Sequence, residues 1–308
     1  MLLLLAAVIA ATVASHLFSP VDWPPLAIDI LHSLHGPGFA LIALAVFCYL
    51  QSRCVSTINY LLAAGIAMGI GLVSEIAQIP GPRDAQFKDL LVDGIGILGA
   101  LGIAASLDRR VRSALSRPAH LLLPAVAGVA LAIACMPTLW YSYALLSQQR
   151  AFPVLLSFEH AWEMATISKT NGVKPSRIAA PDDWPVVGAT IVQGTEAGRW
   201  GIFLSLHPLP DWQGYAKLSF VAASVDAEFP MAFCVRDTRP DRKSRRNRFC
   251  KHLTVSSEAQ RFVVEFDEIQ STMKDRAFDF TRVAALVFSA SKPGGGNELL
   301  LDDIRLEL

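Results

Sequence analysis

Charge is scarce in this sequence. Only 18% of the 308 residues are charged, and 27 basic residues balance 27 acidic ones. The zero net charge removes the electrostatic argument for a nucleic-acid partner, and equally for an acidic one. Cysteine is scarce too. The five cysteines form no Cys-x-x-Cys pair, which argues against a zinc site. No nucleophile elbow, metalloprotease helix, phosphate loop or dinucleotide fingerprint occurs. The pair Ser205 and His207 is isolated in a strand-like run and carries no reaction by itself.

The charge that is present is unevenly placed. Before Leu107 it is sparse and apolar runs are long; after Phe152 it is frequent and apolar residues alternate. A spanning helix needs roughly 20 mostly apolar residues. Five segments qualify as predicted spans: 2–18, 36–50, 58–79, 89–107 and 120–146. The second is short and extends naturally toward Ile28. The first has a second reading, a cleaved signal peptide, which its lack of a positively charged start disfavours. Arg53 lies between the second and third spans. Arg109, Arg110, Arg112 and Arg117 lie between the fourth and fifth, on the same side. Basic loops mark the cytoplasmic side, so Met1 is expected inside and everything after about Ser147 outside. Arg83 and Lys88 face the other way, outnumbered by the four arginines.

Polar residues inside spans are costly and mark sites. Here they gather at one depth, on the side assigned as outer. His32 and His35 open the second span. Glu75 and Gln78 close the third, three apart and so on one helical face. Arg83, Asp84 and Lys88 follow in the loop, and Asp89 and Asp93 begin the fourth span, four apart. Such a set is either a reactive cluster or a hydrogen-bonded network that only locks the helices. Gly94, Gly96, Gly99 and Gly102 lie within the fourth span and read as a close-packing face.

These residues resemble a known family. The run Ser74-Glu75-Ile76-Ala77-Gln78, then Pro80-Gly81-Pro82-Arg83, then Asp89-Leu90-Leu91-Val92-Asp93-Gly94-Ile95-Gly96 is similar to the signature of VanZ-like membrane proteins. His35 with Phe39 is similar to that family's histidine and aromatic four residues apart. Asp93 stands where the family usually has Asn, and Leu31 stands where it has an acidic residue. The resemblance covers about residues 1–107. It implies a four-span unit of the bacterial cell envelope in a family linked to glycopeptide resistance, with no agreed reaction.

After Phe152 the period becomes two. Alternation runs through Trp200–Leu206, 218–220, 229–235 and 262–266, then 283–287 and 299–308. Period two with β-branched and aromatic residues predicts strands with one buried face. Turn signals separate them at 208–212, 237–241 and 293–296. Many short strands and little helix predict a β-sandwich. This part resembles the galactose-binding-like jelly rolls of many carbohydrate-binding modules. The matching pieces are Phe158-Glu159 with Trp162, then Asp211-Trp212-Gln213-Gly214-Tyr215, and finally Leu301-Asp302-Asp303-Ile304-Arg305-Leu306. The resemblance implies a structural calcium held by Glu159 with Asp302 or Asp303, since hard cations take oxygen ligands. The competing reading is a turn carboxylate and a solvated edge. No other cofactor is expected.

Sugar recognition needs an exposed aromatic face. Trp184, Trp200, Trp212 and Tyr215 are candidates. Trp212 and Trp200 read as core anchors, which leaves Trp184 and Tyr215 as the ligand-binding expectation. Cys234 and Cys250 flank a basic excursion running from Arg236 to Lys251. Paired strands would bring the two thiols together, and a disulfide persists outside the cytoplasm. The excursion itself is either a solvated hairpin tip or an attractor of anionic envelope polymers and lipid headgroups.

The expected organisation is a VanZ-like helical unit over 1–107, a basic loop and fifth helix over 108–150, and an outer sandwich over 151–308. Three functional readings follow. The first, and preferred, is an envelope protein in the lipid bilayer that recruits or senses a polysaccharide or glycolipid, without catalysis. The second is a membrane enzyme using His35, Glu75, Gln78, Arg83, Asp89 and Asp93 on a lipid-linked substrate. The third is an assembly factor for an envelope complex.

Overall fold

The structure, a computed structural model, describes residues 30, 33–78, 87–170, 173–179, 189–194, 198–206, 211–225, 227–237, 248–273, 276–292 and 298–308. The expected first span, and His32, Arg83, Asp84 and Trp184, lie outside the described residues. So does the tip of the basic excursion. The described chain divides into two compact units, and the cut falls between Trp140 and Tyr141.

The first unit is helical. Its helices are α1 (His35–Arg53), α2 (Ile58–Gln78), α3 (Phe87–Leu107) and the short α4 (Arg109–Ala114), followed by the start of α5 (Arg117–Ala151). α1, α2, α3 and α5 are long and apolar enough to cross a membrane. Each begins and ends within a few residues of the corresponding sequence-derived span. The one structural departure is α4, inside the expected loop 108–118. Asp108 caps it by accepting from the Arg110 N–H at 2.9 Å, a standard helix start.

The packing is inverted relative to a soluble bundle. Inward positions hold Phe39, Ile42, Val46, Ile97 and Leu101 among many alanines and glycines, while large aliphatics also point outward, among them Leu61, Leu98, Leu121 and Val126. Water penalises such a surface, and lipid does not. Glycine sets the helix separation. A Cβ on Gly36 would lie 2.6 Å from the Ala134 carbonyl, one on Gly99 2.7 Å from the Leu131 amide, and one on Gly96 would collide with the Gly36 carbonyl. At the end opposite the polar cluster, a closed α1–α2 turn holds the helices. Asn59 Nδ2 donates to Cys54 O at 2.6 Å, and the Tyr60 hydroxyl reaches Asp108 at 3.2 Å.

The second unit is an antiparallel β-sandwich of jelly-roll type. Its strands are β1 (Val154–Leu156), β2 (Ile167–Thr170), β3 (Val173–Ile178), β4 (Ala189–Gly194), β5 (Gly198–Ser205), β6 (Lys217–Ser224), β7 (Phe229–Asp237), β8 (Arg248–Val255), β9 (Gln260–Glu265), β10 (Val283–Lys292) and β11 (Glu298–Glu307). One sheet runs β3-β4-β11-β6-β9, with β1 on β11; the other runs β2-β5-β10-β7-β8. Most connections pass from one sheet to the other, so neither sheet forms alone. Phe220 of β6 joins the two layers, meeting Phe233 of β7 at 5.0 Å and Phe288 of β10 edge-on at 5.1 Å.

Phe266 was expected to end a strand; it opens a helix instead, α6 (Phe266–Thr272). Asp267 and Glu268 fill that helix's first turn, where acids suit the helix dipole. Cys234 and Cys250 stand opposite each other on β7 and β8 and are joined in a disulfide.

Gly96→Val should therefore lower the thermal stability of the full chain in detergent by about 1–3 kcal/mol. Gly65→Val, where a Cβ meets nothing within 4 Å, is the control. Equal melting of the two variants would rule out glycine-set packing of α1 against α3.

Candidate functional site

The helical unit gathers polar side chains at one end. α1 starts there, α2 ends there and α3 starts there, so three antiparallel helices deliver residues distant in sequence. His35 and Glu75 are buried, and Asp89 is half-buried. One ligand atom from each lies within 4.8 Å of the others, and among the described residues no other three His, Cys, Asp or Glu come so close. Behind them is Asp93, 1% exposed, with Oδ1 3.3 Å from His35 Nδ1. Gly71 leaves the room: its absent Cβ would sit 3.3 Å from Asp93 Oδ2 and 3.4 Å from Phe39. Phe39 stacks on the His35 ring at 6.3 Å. Of the expected set, His35, Glu75, Asp89 and Asp93 are thus together. Lys88 is exposed. Arg83 lies outside the described residues, as does the side chain of Gln78.

The sandwich carries two further features. The first is a carboxylate group near β11, where the β6–β11 register shifts between Asp302 and Arg305. Asp303 there takes φ 49°, in the left-handed region that Asp tolerates better than most residues. Such a bulge re-aims side chains, and both neighbouring aspartates end up buried. Asp303 turns to arginine: Oδ2 accepts from Arg261 Nη2 at 2.6 Å, and Oδ1 accepts from Arg305. Asp302 does the opposite. Its Oδ1 accepts from the Asp303 amide at 2.6 Å, and its buried Oδ2 has no hydrogen-bond partner among the described residues. Burial, with the nearby carboxylates of Asp303, Glu163 and Glu159, pushes its carboxyl up to about 7.

Glu163, which the sequence reading passed over, is 1% exposed. It accepts from the Ser157 amide at 2.7 Å and the His160 amide at 2.9 Å. Its only sequence signal is an acid three residues after a helix-start position, without the usual Ser or Thr there. Glu159 is exposed. Asp302 alone offers an orphaned buried carboxylate oxygen, the kind of group a cation would satisfy; both Glu163 oxygens already accept hydrogen bonds and Glu159 is exposed. Asp303 does not, because two guanidinium groups already hold it.

The second feature is a cleft of about 460 Å³ lined by Trp212, Gln213, Gly214, Tyr215 and, from the other side, by Phe266 and Phe278–Phe280. The turn that builds it is local. Asp211 Oδ1 accepts from the Gln213 amide at 2.8 Å, and Gly214 adopts φ 90°, open to glycine and strained for other residues. Trp212 is wholly buried and stacks on Phe266 at 5.6 Å, and Phe266 stacks on Phe280 at 4.6 Å. The Trp212 Nε1–H has no acceptor among the described residues. Tyr215 is half-buried and meets Phe152, the residue after α5, edge-on at 5.5 Å. The far wall is held by Asp237, whose carboxylate takes Arg276 at 2.5 and 2.7 Å and the Asp279 amide at 3.1 Å. Trp184 lies outside the described residues, and so does the side chain of Trp200. The sequence marks Tyr215 as a ligand contact and Trp212 as a core anchor, but marks neither Phe278 nor Phe280, because no periodic pattern contains them.

No family model and no curated protein sequence matches the chain. Solved structures similar to it include a family 11 carbohydrate-binding module from Clostridium thermocellum in complex with a beta-1,3-1,4-mixed-linked tetrasaccharide. It is 17% identical, over 46% of this chain and 86% of that one, with a TM-score of 0.36. The CBM22-1 xylan-binding domain of Paenibacillus barcinonensis Xyn10C is 16% identical over 50% of this chain and 91% of that one, with a TM-score of 0.36.

Two outcomes are expected. Asp302 holds a proton in the folded chain that the unfolded chain releases near the ordinary 3.8. Without a cation its contribution is therefore present below about pH 4 and is lost as pH rises through about 7. Asp302→Asn should melt higher than wild type at pH 8 without metal and should lose any stabilisation by Ca2+. Identical pH and Ca2+ profiles for the two proteins would sink this. Separately, Asp237→Ala leaves Arg276 without its buried partner and should cost about 3–5 kcal/mol by chemical denaturation; a loss under 1 kcal/mol would disconnect this pair from the cleft wall.

Proposed function

We propose that this chain is an integral membrane protein of the cell envelope whose sandwich binds a glycan or glycolipid at the Trp212–Tyr215 cleft. The observation that carries the reading is the cleft's composition. Ligand sites are concave, mostly aromatic or apolar, with a few convergent polar groups. This one offers the half-buried ring and hydroxyl of Tyr215 and the exposed Gln213 amide, set over the buried rings of Trp212, Phe266 and Phe278. Hydroxyl-rich ligands supply acceptors for such donors.

Four helices of spanning length and an outward aliphatic surface support insertion in the bilayer. The arginines at 109, 110, 112 and 117 favour a cytoplasmic loop, which puts the sandwich and the His35 end of the bundle on the outer side. The VanZ-like signature supports a bacterial envelope setting. A calcium on Asp302 with Glu159 and Glu163 would be structural, neutralising buried carboxylates beside β11. Tyr215 touches Phe152 just past α5, so the cleft is at the end of the sandwich that the last helix enters.

The test is binding of the detergent-purified full chain, with Ca2+ present, to a panel of envelope polysaccharides and glycolipids. Tyr215→Ala and Gln213→Ala should each weaken binding about tenfold, equivalent to about 1.4 kcal/mol. Absence of binding to every class, or binding unchanged by both variants, would overturn the cleft assignment.

A further inference from the structure

We propose that His35, Glu75 and Asp89 hold one divalent first-row transition metal ion, with Asp93 as the carboxylate that orients the histidine. The argument begins with geometry. Three atoms within 4.8 Å of one another have a common centre no more than about 2.8 Å from each, and zinc takes such ligands at about 2.0–2.2 Å. A sub-ångström contraction therefore closes the site. The donor set selects the ion. One imidazole with two carboxylates suits Zn2+, Mn2+ or Fe2+; calcium and magnesium prefer oxygen alone, and soft ions want thiolate.

Asp93 supplies an independent observation. It is 1% exposed, and among the described residues neither of its oxygens has a hydrogen-bond donor beyond the 3.3 Å approach to His35 Nδ1. A carboxylate aimed at one ring nitrogen of a histidine fixes its tautomer and ring orientation, the usual support behind a metal-bound histidine. Without a metal, a fully buried carboxylate inside an apolar bundle has little reason to be there, since its desolvation is costly. The dication supplies the charge that Glu75, Asp89 and Asp93 together call for. Glu75 and His35 are buried, whereas Asp89 is half-buried near the start of α3. Among the described residues there are three such donors, one fewer than a closed tetrahedral zinc shell takes. The missing Cys-x-x-Cys pair bears only on thiolate sites; here the donors come from three separate helices, with no short spacing to reveal them.

The experiment uses the full chain in detergent, stripped with chelator and then titrated with Zn2+ and, as a spectroscopic probe, Co2+. Wild type should retain one metal per chain after dialysis and show Co2+ ligand-field absorption that Zn2+ abolishes. His35→Ala and Glu75→Gln should lose that signal. Asp93→Asn should keep the stoichiometry and bind about 10–100-fold more weakly. Asp302→Asn, in the sandwich, should bind like wild type, which separates this site from the calcium carboxylates. X-ray absorption of Zn2+-loaded wild type should give one imidazole and oxygen neighbours, and needs no variant to fold. A monodisperse wild-type protein that retains no metal overturns the proposal. So does a sulfur-containing shell, or equal binding by the His35→Ala/Glu75→Gln/Asp89→Asn triple variant. Glycan binding by the sandwich is read separately, and its failure would leave this result unaffected.

Discussion

In an apolar medium every backbone N–H and C=O needs a partner within the chain. This sequence meets that constraint in two ways, and each half of the structure follows from the choice. In the first unit the bonds are made inside single helices, four of them long and apolar enough to cross a membrane, which leaves the side chains to face outward or one another. In the second they are made between strands, which leaves two faces, one to be hidden. The same aliphatic residues point outward in the first unit and inward in the second, because the expected surroundings differ.

Helix separation then governs the polar cluster. Only with Gly36 and Gly96 in direct backbone contact does His35 come within 3.3 Å of Asp93. Gly71 plays the same part from α2, since its missing side chain is the space that Asp93 and Phe39 occupy. The costly buried carboxylates sit where small residues give them room, at one end of the bundle and near the boundary of the apolar region.

In the sandwich the comparable device is the bulge on β11. Regular alternation would send Asp302 and Asp303 to opposite faces of the sheet. The left-handed residue at 303 breaks the alternation, so both carboxylates are buried and are then divided between different partners. Asp303 is neutralised by Arg261 and Arg305. Asp302 is left with a carboxyl raised to about 7, beside Glu159 and Glu163. The residues of the aromatic cleft are distinct from this group, and its wall is tied by the Asp237–Arg276 pair as well as by the stacked rings of Trp212, Phe266 and Phe280.

Period and length in the sequence were enough to determine apolar spans at 36–50, 58–79, 89–107 and 120–146, which the helices overlap, and most of the long strands, because long apolar runs and burial every second residue are visible in one dimension. They also placed His35, Glu75, Asp89 and Asp93 at one end, since alternating helix direction requires it. Strands such as Val173–Ile178 and Ala189–Gly194 were not legible, because they lack a clean apolar alternation. Tertiary structure alone decided which of Asp302 and Asp303 is free of arginine, since that rests on a one-residue bulge. It alone brought Glu163 under β11 and Phe278 and Phe280 against Trp212, since those residues meet across turns that carry no periodic signal. And it alone brought three ligand atoms within 4.8 Å, because distance between helices is set by the glycines that pack them and not by any spacing along one chain segment.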